Sequence, residues 1–403
     1  MDKCLLLCVL LFSSYSHVSA HYYPSKNTLV SSVTKNAILP IFTFTLNTNE
    51  EYFIHIAGPF LVRSCNDGLP RPIIPCGSAT CALTRRVSPH QCPPTQNAII
   101  NGRCACQATA FEPFQRLCNS NQYTYGDFSM SSLNPRSPSF TFNNVKYLCI
   151  PKPFLIDFPP GVLGLAGLAP TALATWNQLT PPRLGLEKKF ALCVPSDTNK
   201  GAIFFGGGPY KLGNTDARSM LTYTQLIKNR RRLNNYFLRL KGIFVNGEKI
   251  LLAQNAFGFD GKGDGGVTLS TVTPFTTLRS DIYKVFTEAF SKATSDIPRV
   301  NSTTPLEFCF KSTEHFQVPQ IDMKFADGKI WKVIAANSMK KISDDVACLA
   351  FLNGGDAAAQ AVVIGMHQME NTLLEFDVGR SAFGFSCSLG LVNASCGDFQ
   401  TKP

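Results

Sequence analysis

The chain has 403 residues, 44% apolar and 16% charged, and its 38 Lys+Arg against 27 Asp+Glu give a net charge of +11. Its length predicts two or three domains. The 29 Gly, 26 Pro and 31 Phe exclude collagen, coiled coil, a polytopic membrane protein and disorder, because turns are dense and a large core is available.

Residues 1–20 read as a secretory signal, with Lys3, an apolar stretch over 5–12 and the small-residue cleavage site Val18-Ser19-Ala20. The mature chain is expected to start near His21. The apolar stretch is too short to cross a bilayer, and no later run reaches about 18 apolar residues, so no membrane span is expected.

Strand patterns follow. Phe42-Thr43-Phe44-Thr45-Leu46 alternates with period two, and Phe53-Ile54-His55-Ile56 comes after a polar turn. Similar short runs cover 140–142, 190–194, 202–205 and 236–240. Ile243-Phe244-Val245 and Glu248-Lys249-Ile250 flank Asn246-Gly247, a pair suited to positive φ at both centres of a hairpin turn. A short helix is expected over 171–179. A longer one has Ser280 as its cap and Ile282, Val285, Phe286, Ala289 and Phe290 along one face. The fold class is mainly β with few short helices.

Of 15 cysteines, Cys4 and Cys8 lie in the signal. Seven of the others crowd between 65 and 118 among Pro and Gly, the pattern of a loop-rich segment stapled by disulfides. Cys104-Ala105-Cys106 has the wrong spacing for a zinc knuckle, so no metal or cofactor is expected. An odd thiol is left over. Asn301-Ser302-Thr303 and Asn393-Ala394-Ser395 are glycosylation sequons.

An internal repeat is visible. A strand with a special polar position at His55 is followed by Gly161-Val162-Leu163-Gly164. A second, Gly266-Val267-Thr268-Leu269-Ser270-Thr271, is followed by Val362-Val363-Ile364-Gly365. The spacing suggests two copies of one lobe joined between 196 and 218.

These segments, with Ala202-Ile203-Phe204-Phe205-Gly206-Gly207-Gly208-Pro209 and Phe383-Gly384-Phe385-Ser386, resemble the bilobal pepsin-like fold in its plant extracellular branch. That branch holds the TAXI-type xylanase inhibitors, the dermal glycoproteins, the basic 7S globulins and the γ-conglutins. The resemblance implies an N-terminal lobe over 21–200, a C-terminal lobe over 201–403 and an extracellular location in the apoplast or cell wall. It implies that Cys65, Cys76, Cys81, Cys92, Cys104, Cys106, Cys118 and Cys149 pair within the first lobe. It further implies Cys193–Cys396 and Cys309–Cys348, with Cys387 as the surplus thiol. The sequence itself leaves other pairings open.

A pepsin-like protease needs two facing carboxylates that share a proton, one from each Asp-Thr/Ser-Gly turn. No such triplet occurs here. The resemblance places His55 at the first position and Leu269 at the second. Imidazole offers at most one acceptor and leucine none, so ordinary aspartic protease activity is not expected. Two readings of His55 stand, a pH-sensing group in the cleft or a packing residue with one hydrogen bond. Tyr123-Thr124-Tyr125-Gly126-Asp127-Phe128-Ser129-Met130 resembles the flap hairpin, with Tyr125 as the flap tyrosine.

Three functions follow. The first is inhibition of secreted fungal or bacterial glycoside hydrolases, a xylanase or a xyloglucanase. The resemblance implies inhibitory loops centred on Arg299 and on Leu389, Gly390, Leu391 and Val392. A cation inserted between two glycosidase carboxylates is the chemistry such loops use. The tail here lacks the arginine or histidine of those inhibitors, and a glycan on Asn393 would obstruct it. The second is a storage or binding protein, with Lys228-Asn229-Arg230-Arg231-Arg232 as a processing site, an acidic-polysaccharide or membrane-surface patch, or a solvated loop. The third is an atypical peptidase using Asp260 or Asp264. No nucleic-acid partner is expected for a secreted chain.

Overall fold

A computed structural model of the protein describes residues 28–402 except 37–40, 48, 66–69, 197–199 and 313–316. The expected signal over 1–20 and the start at His21 lie outside the described residues.

The spine is a sheet shared by both halves of the chain. Leu29–Lys35 pairs antiparallel with Gly201–Phe205, which pairs with Lys189–Cys193. Lys189–Cys193 then joins Thr372–Asp377 from the far end of the chain, with Phe190 opposite Phe376. Ala382–Ser388 and Thr222–Ile227 complete this platform. Strands Lys189–Cys193 and Gly201–Phe205 are buried at every position, since the platform is covered on both faces. The Phe190 and Phe376 rings stack at 4.7 Å, and Tyr236 lies 4.7 Å from Phe376. These rings weld the two halves into one core.

Gly201–Phe205 belongs to the platform through Leu29–Lys35, so a division at 200/201 cuts between two adjacent paired strands.

An ionic cluster sits in the platform. Lys189 Nζ lies 2.9 Å from Asp377 Oδ2, 2.9 Å from Glu187 Oε2 and 3.4 Å from Glu375 Oε1. Tyr210 and Tyr223 donate their hydroxyls to Glu375 at 2.6 and 3.0 Å. These carboxylates raise the Lys189 pKa against the opposing effect of burial, and burial raises Tyr210 well above the ordinary phenol value.

On the first side Glu51–His55 runs parallel to Val162–Gly167, which also pairs antiparallel with Leu61–Ser64. On the second, Val267–Leu269 runs parallel to Val362–Ile364, which pairs with Thr276–Leu278. Asn246 and Gly247 take φ of 49° and 83° and close the expected hairpin, with Val245 opposite Glu248. Helix Ser280–Ala293 buries Ile282, Phe286 and Phe290 as its periodicity predicts. Its cap position is Arg279, however, and Ser280 is its first residue, donating instead to Asn353 Oδ1 at 2.9 Å. The shorter helix is confined to Thr175–Leu179.

Six disulfides are formed among the described residues. They are Cys65–Cys149, Cys76–Cys104, Cys81–Cys106, Cys92–Cys118, Cys193–Cys396 and Cys309–Cys348. Cys387 stands outside these bridges and is half-buried. The cysteine-rich segment is more regular than its composition suggests. Helix Ala79–Arg86 starts there, with Ser78 Oγ accepting from the Cys81 amide at 3.2 Å.

Candidate functional site

The interlobe cleft is built by the two parallel strand pairs. In the first lobe His55 lies opposite Gly167. A Cβ on Gly167 would come within 2.3 Å of the carbonyl of Phe60, five residues beyond His55. In the second lobe Leu269 lies opposite Ile364, which sets Ser270 beside Gly365. A Cβ on Gly365 would come within 2.3 Å of the backbone of Phe275, five residues beyond Ser270. The two registers therefore match His55 with Ser270 and Gly167 with Gly365.

That register moves two sequence expectations. The second polar position is Ser270, one residue past Leu269, and the glycine matching Gly365 is Gly167, three past Gly164. Leu269 is only 2% exposed and belongs to the core, while Ser270 lines the cleft. The residues that follow the two positions meet across the lobes, where the Ile56 amide donates to Thr271 Oγ1 at 3.2 Å.

Ser270 Oγ is used locally. It accepts from the amides of Val272 and Thr273 at 3.1 and 3.0 Å, making a tight turn. His55 is half-buried at the cleft floor, with its ring stacked on Phe53 at 6.1 Å between centroids. Its carbonyl accepts from Gly58 and Leu168 at 2.9 and 3.0 Å. Withdrawal from water pushes its imidazole pKa down to about 4, so the ring is neutral at mildly acidic and neutral pH.

The flap expectation does not hold in its original form. Leu117–Ser131 runs straight through Tyr125, with Tyr125 opposite Lys146 and a bulge between Gly126 and Phe128. The chain reverses only at 132–138. Tyr125 packs on the first-lobe core and is not among the cleft-lining residues. The hairpin that borders the cleft is the preceding one, between Gln107–Glu112 and Leu117–Ser131. Its turn is fixed by the Glu112 carboxylate, which accepts from the Phe114 and Gln115 amides, and Pro113 and Arg116 face the cleft.

The cleft encloses about 810 Å³ and its lining is strongly basic. Arg86, Arg116, Arg230, Arg231 and Arg232 line it together with His55 and His90, and no Asp or Glu does so among the described residues. Arg232 is ion-paired to Asp264. The loop carrying the three consecutive arginines is anchored by Asn229 Nδ2 to the Gly263 carbonyl at 2.8 Å. Asn234 Nδ2 ties it to the Val87 carbonyl of the other lobe at 2.9 Å. Sequence reading singled out 228–232 but not Arg86 and Arg116, which reach the same cleft from distant segments.

Asp260 and Asp264 do not form an acid pair in this cleft. Asp260 Oδ1 accepts from the Lys262 and Asp264 amides at 2.8 Å each, and these amide bonds hold its pKa below the usual carboxylate value.

The inhibitory-loop candidates are held by separate parts of the second lobe. Arg299 is exposed on strand Arg299–Val300, which pairs with Cys309–Lys311. Its guanidinium lies 4.3 Å from the Phe308 ring and 5.8 Å from Phe310, and donates to the Glu307 carbonyl at 3.3 Å. The tail forms a tight turn, Leu389–Val392, in which Leu389 is buried with Cys396 and Phe399. Gly390 and Leu391 are exposed and Val392 is half-buried, while Asn393 ends the turn at φ 56° with its side chain exposed. Asn301 is also exposed.

Two β lobes about a shared platform, with a cleft floored by paired strand ends, define a pepsin-like protein. Within that class the chain belongs to the xylanase inhibitor family. It matches the descriptions "Xylanase inhibitor N-terminal" over residues 70–207 and "Xylanase inhibitor C-terminal" over 235–387. It is 30% identical to "Chitinase CLP" of Oryza sativa subsp. japonica, covering 98% of this chain and 96% of that protein. It is 29% identical to "Probable aspartic proteinase GIP2" of Nicotiana benthamiana, covering 98% and 97%. The crystal structure of edgp is similar with a TM-score of 0.83 at 27% identity, over 94% of this chain and 98% of that one. Basic 7S globulin from soybean has the same fold, with a TM-score of 0.76 at 24% identity over 94% and 100%.

Proposed function

We propose that the protein is a secreted, catalytically inactive member of this family that inhibits microbial cell-wall glycoside hydrolases in the apoplast. The observation that carries this reading is the presentation of Arg299. Its cation is exposed, yet its guanidinium lies over the Phe308 ring with Phe310 close by. The neighbouring strand is locked by Cys309–Cys348. A preorganised guanidinium suits the paired carboxylates of a glycosidase cleft, because less side-chain freedom is lost on binding.

The cleft supports inactivity. Both peptide hydrolysis by a pepsin-like dyad and sugar hydrolysis by the common route require two carboxyl groups. The described cleft lining supplies none. The tail is the weaker half of the inhibitory surface, since a glycan on exposed Asn393 would cover Gly390, Leu391 and Val392.

The test is capture of the glycosylated full-length protein by a panel of fungal xylanases and xyloglucanases, with inhibition measured in parallel. Arg299→Ala should weaken the interaction at least tenfold while leaving the melting temperature within a few degrees. Absence of binding to every hydrolase at micromolar concentration would overturn the reading and leave a storage or binding role like that of the conglutins.

A further inference from the structure

We propose that the interlobe cleft is a binding site for an acidic oligosaccharide, a chain of hexuronate residues. This site is separate from Arg299, and the inference does not depend on hydrolase inhibition.

The basic lining is assembled, not inherited from one charged run. Arg86 comes from the end of helix Ala79–Arg86, Arg116 from a hairpin turn of the first lobe, and residues 230–232 from an anchored loop of the second. Arg86, Arg116, Arg230 and Arg231 are exposed and have no carboxylate partner among the described residues. Four uncompensated guanidinium groups around one concavity repel one another, and focus a positive potential that an anionic ligand relieves. Planar guanidinium forks match carboxylates in two parallel hydrogen bonds.

The rest of the lining favours sugar over peptide. Gln91, Asn235 and Gln360 offer neutral donors and acceptors suited to hydroxyl groups, and Pro59 and Pro113 offer flat apolar surface.

The experiment is calorimetric titration of the purified, disulfide-intact protein with a decamer of galacturonic acid at low and moderate salt. Its fully methyl-esterified form and a polyglutamate of equal charge are titrated in parallel. Saturable binding of the acid decamer is expected, weakening with salt and absent for the ester. The triple variant Arg86→Gln, Arg116→Gln, Arg231→Gln should weaken binding about tenfold or more, with an unchanged melting temperature. Removing three exposed charges elsewhere, Lys211→Gln, Lys329→Gln and Lys340→Gln, should weaken it less than threefold. The proposal falls if the decamer does not bind at millimolar concentration, or if the ester binds equally. Equal losses in the two triple variants, or tighter binding of polyglutamate, would also overturn it.

Discussion

The amide of Ile56 donates to Thr271 Oγ1 across the junction of the lobes, at 3.2 Å and away from solvent. Each residue directly follows one of the paired polar positions, so one hydrogen bond fixes how the two strand ends face each other. Thr271→Val keeps the shape but leaves the Ile56 N–H without a partner. The expected loss is about 1–3 kcal/mol of stability, read as a lower urea midpoint with an unchanged slope.

Adjacent residues should respond oppositely to the same substitution. Leu269→Asp places a carboxylate in the second-lobe core and should cost several kcal/mol, roughly 3 or more, or prevent secretion. Ser270→Asp places it at the cleft and should yield a folded protein with modest destabilisation. The reverse pattern of secretion yields and melting temperatures would show that the second polar position is Leu269. Neither single substitution should create pepstatin-sensitive peptide cleavage, because one carboxylate cannot share a proton with a partner that is absent.

His55 supplies a pH dependence of definite sign. Its folded-state pKa is about 4, against about 6.5 when exposed. Between these values the unfolded chain binds more protons, so stability rises with pH. The contribution is complete above about pH 6.5 and is lost as pH falls toward 4. Replacing His55 with Gln should flatten this part of the melting-temperature profile. An NMR titration of the imidazole with a midpoint near 6.5 would contradict the account.

Lys189 holds the platform's ionic cluster together. Lys189→Met removes the cation shared by Glu375 and Asp377, with Arg218 left as the positive charge acting on Glu375, and should cost about 3–5 kcal/mol at neutral pH. The deficit should shrink under acid, where those carboxyls take up protons. A melting temperature within one or two degrees of the parent at pH 7 would show that the cluster is not needed.

Much of this architecture is written locally. Asn246-Gly247 requires its turn, and the spacing of Ile282, Phe286 and Phe290 requires a helix, because both depend on neighbours a few residues away. The choice between Leu269 and Ser270 is different. Alternation from Val267 to Thr271 puts Val267 and Leu269 on one face, but a degenerate triplet does not say which residue stands at the polar position; pairing with a strand some ninety residues later does. Tyr125-Gly126 reads as a flap because the motif does not reveal that Leu117–Ser131 continues straight to a later turn. The basic cleft is the least legible feature. Arg86, Arg116 and Arg231 are separated by long stretches of chain and meet only through the tertiary fold.

Because Lys189–Cys193 is stitched to Thr372–Asp377 and Cys193 is bolted to Cys396, the halves have little freedom to rock about a hinge. The aperture is cast during folding, before any visitor arrives. A ligand of the cleft would then meet an opening already shaped by the platform, and would be sorted by girth and charge.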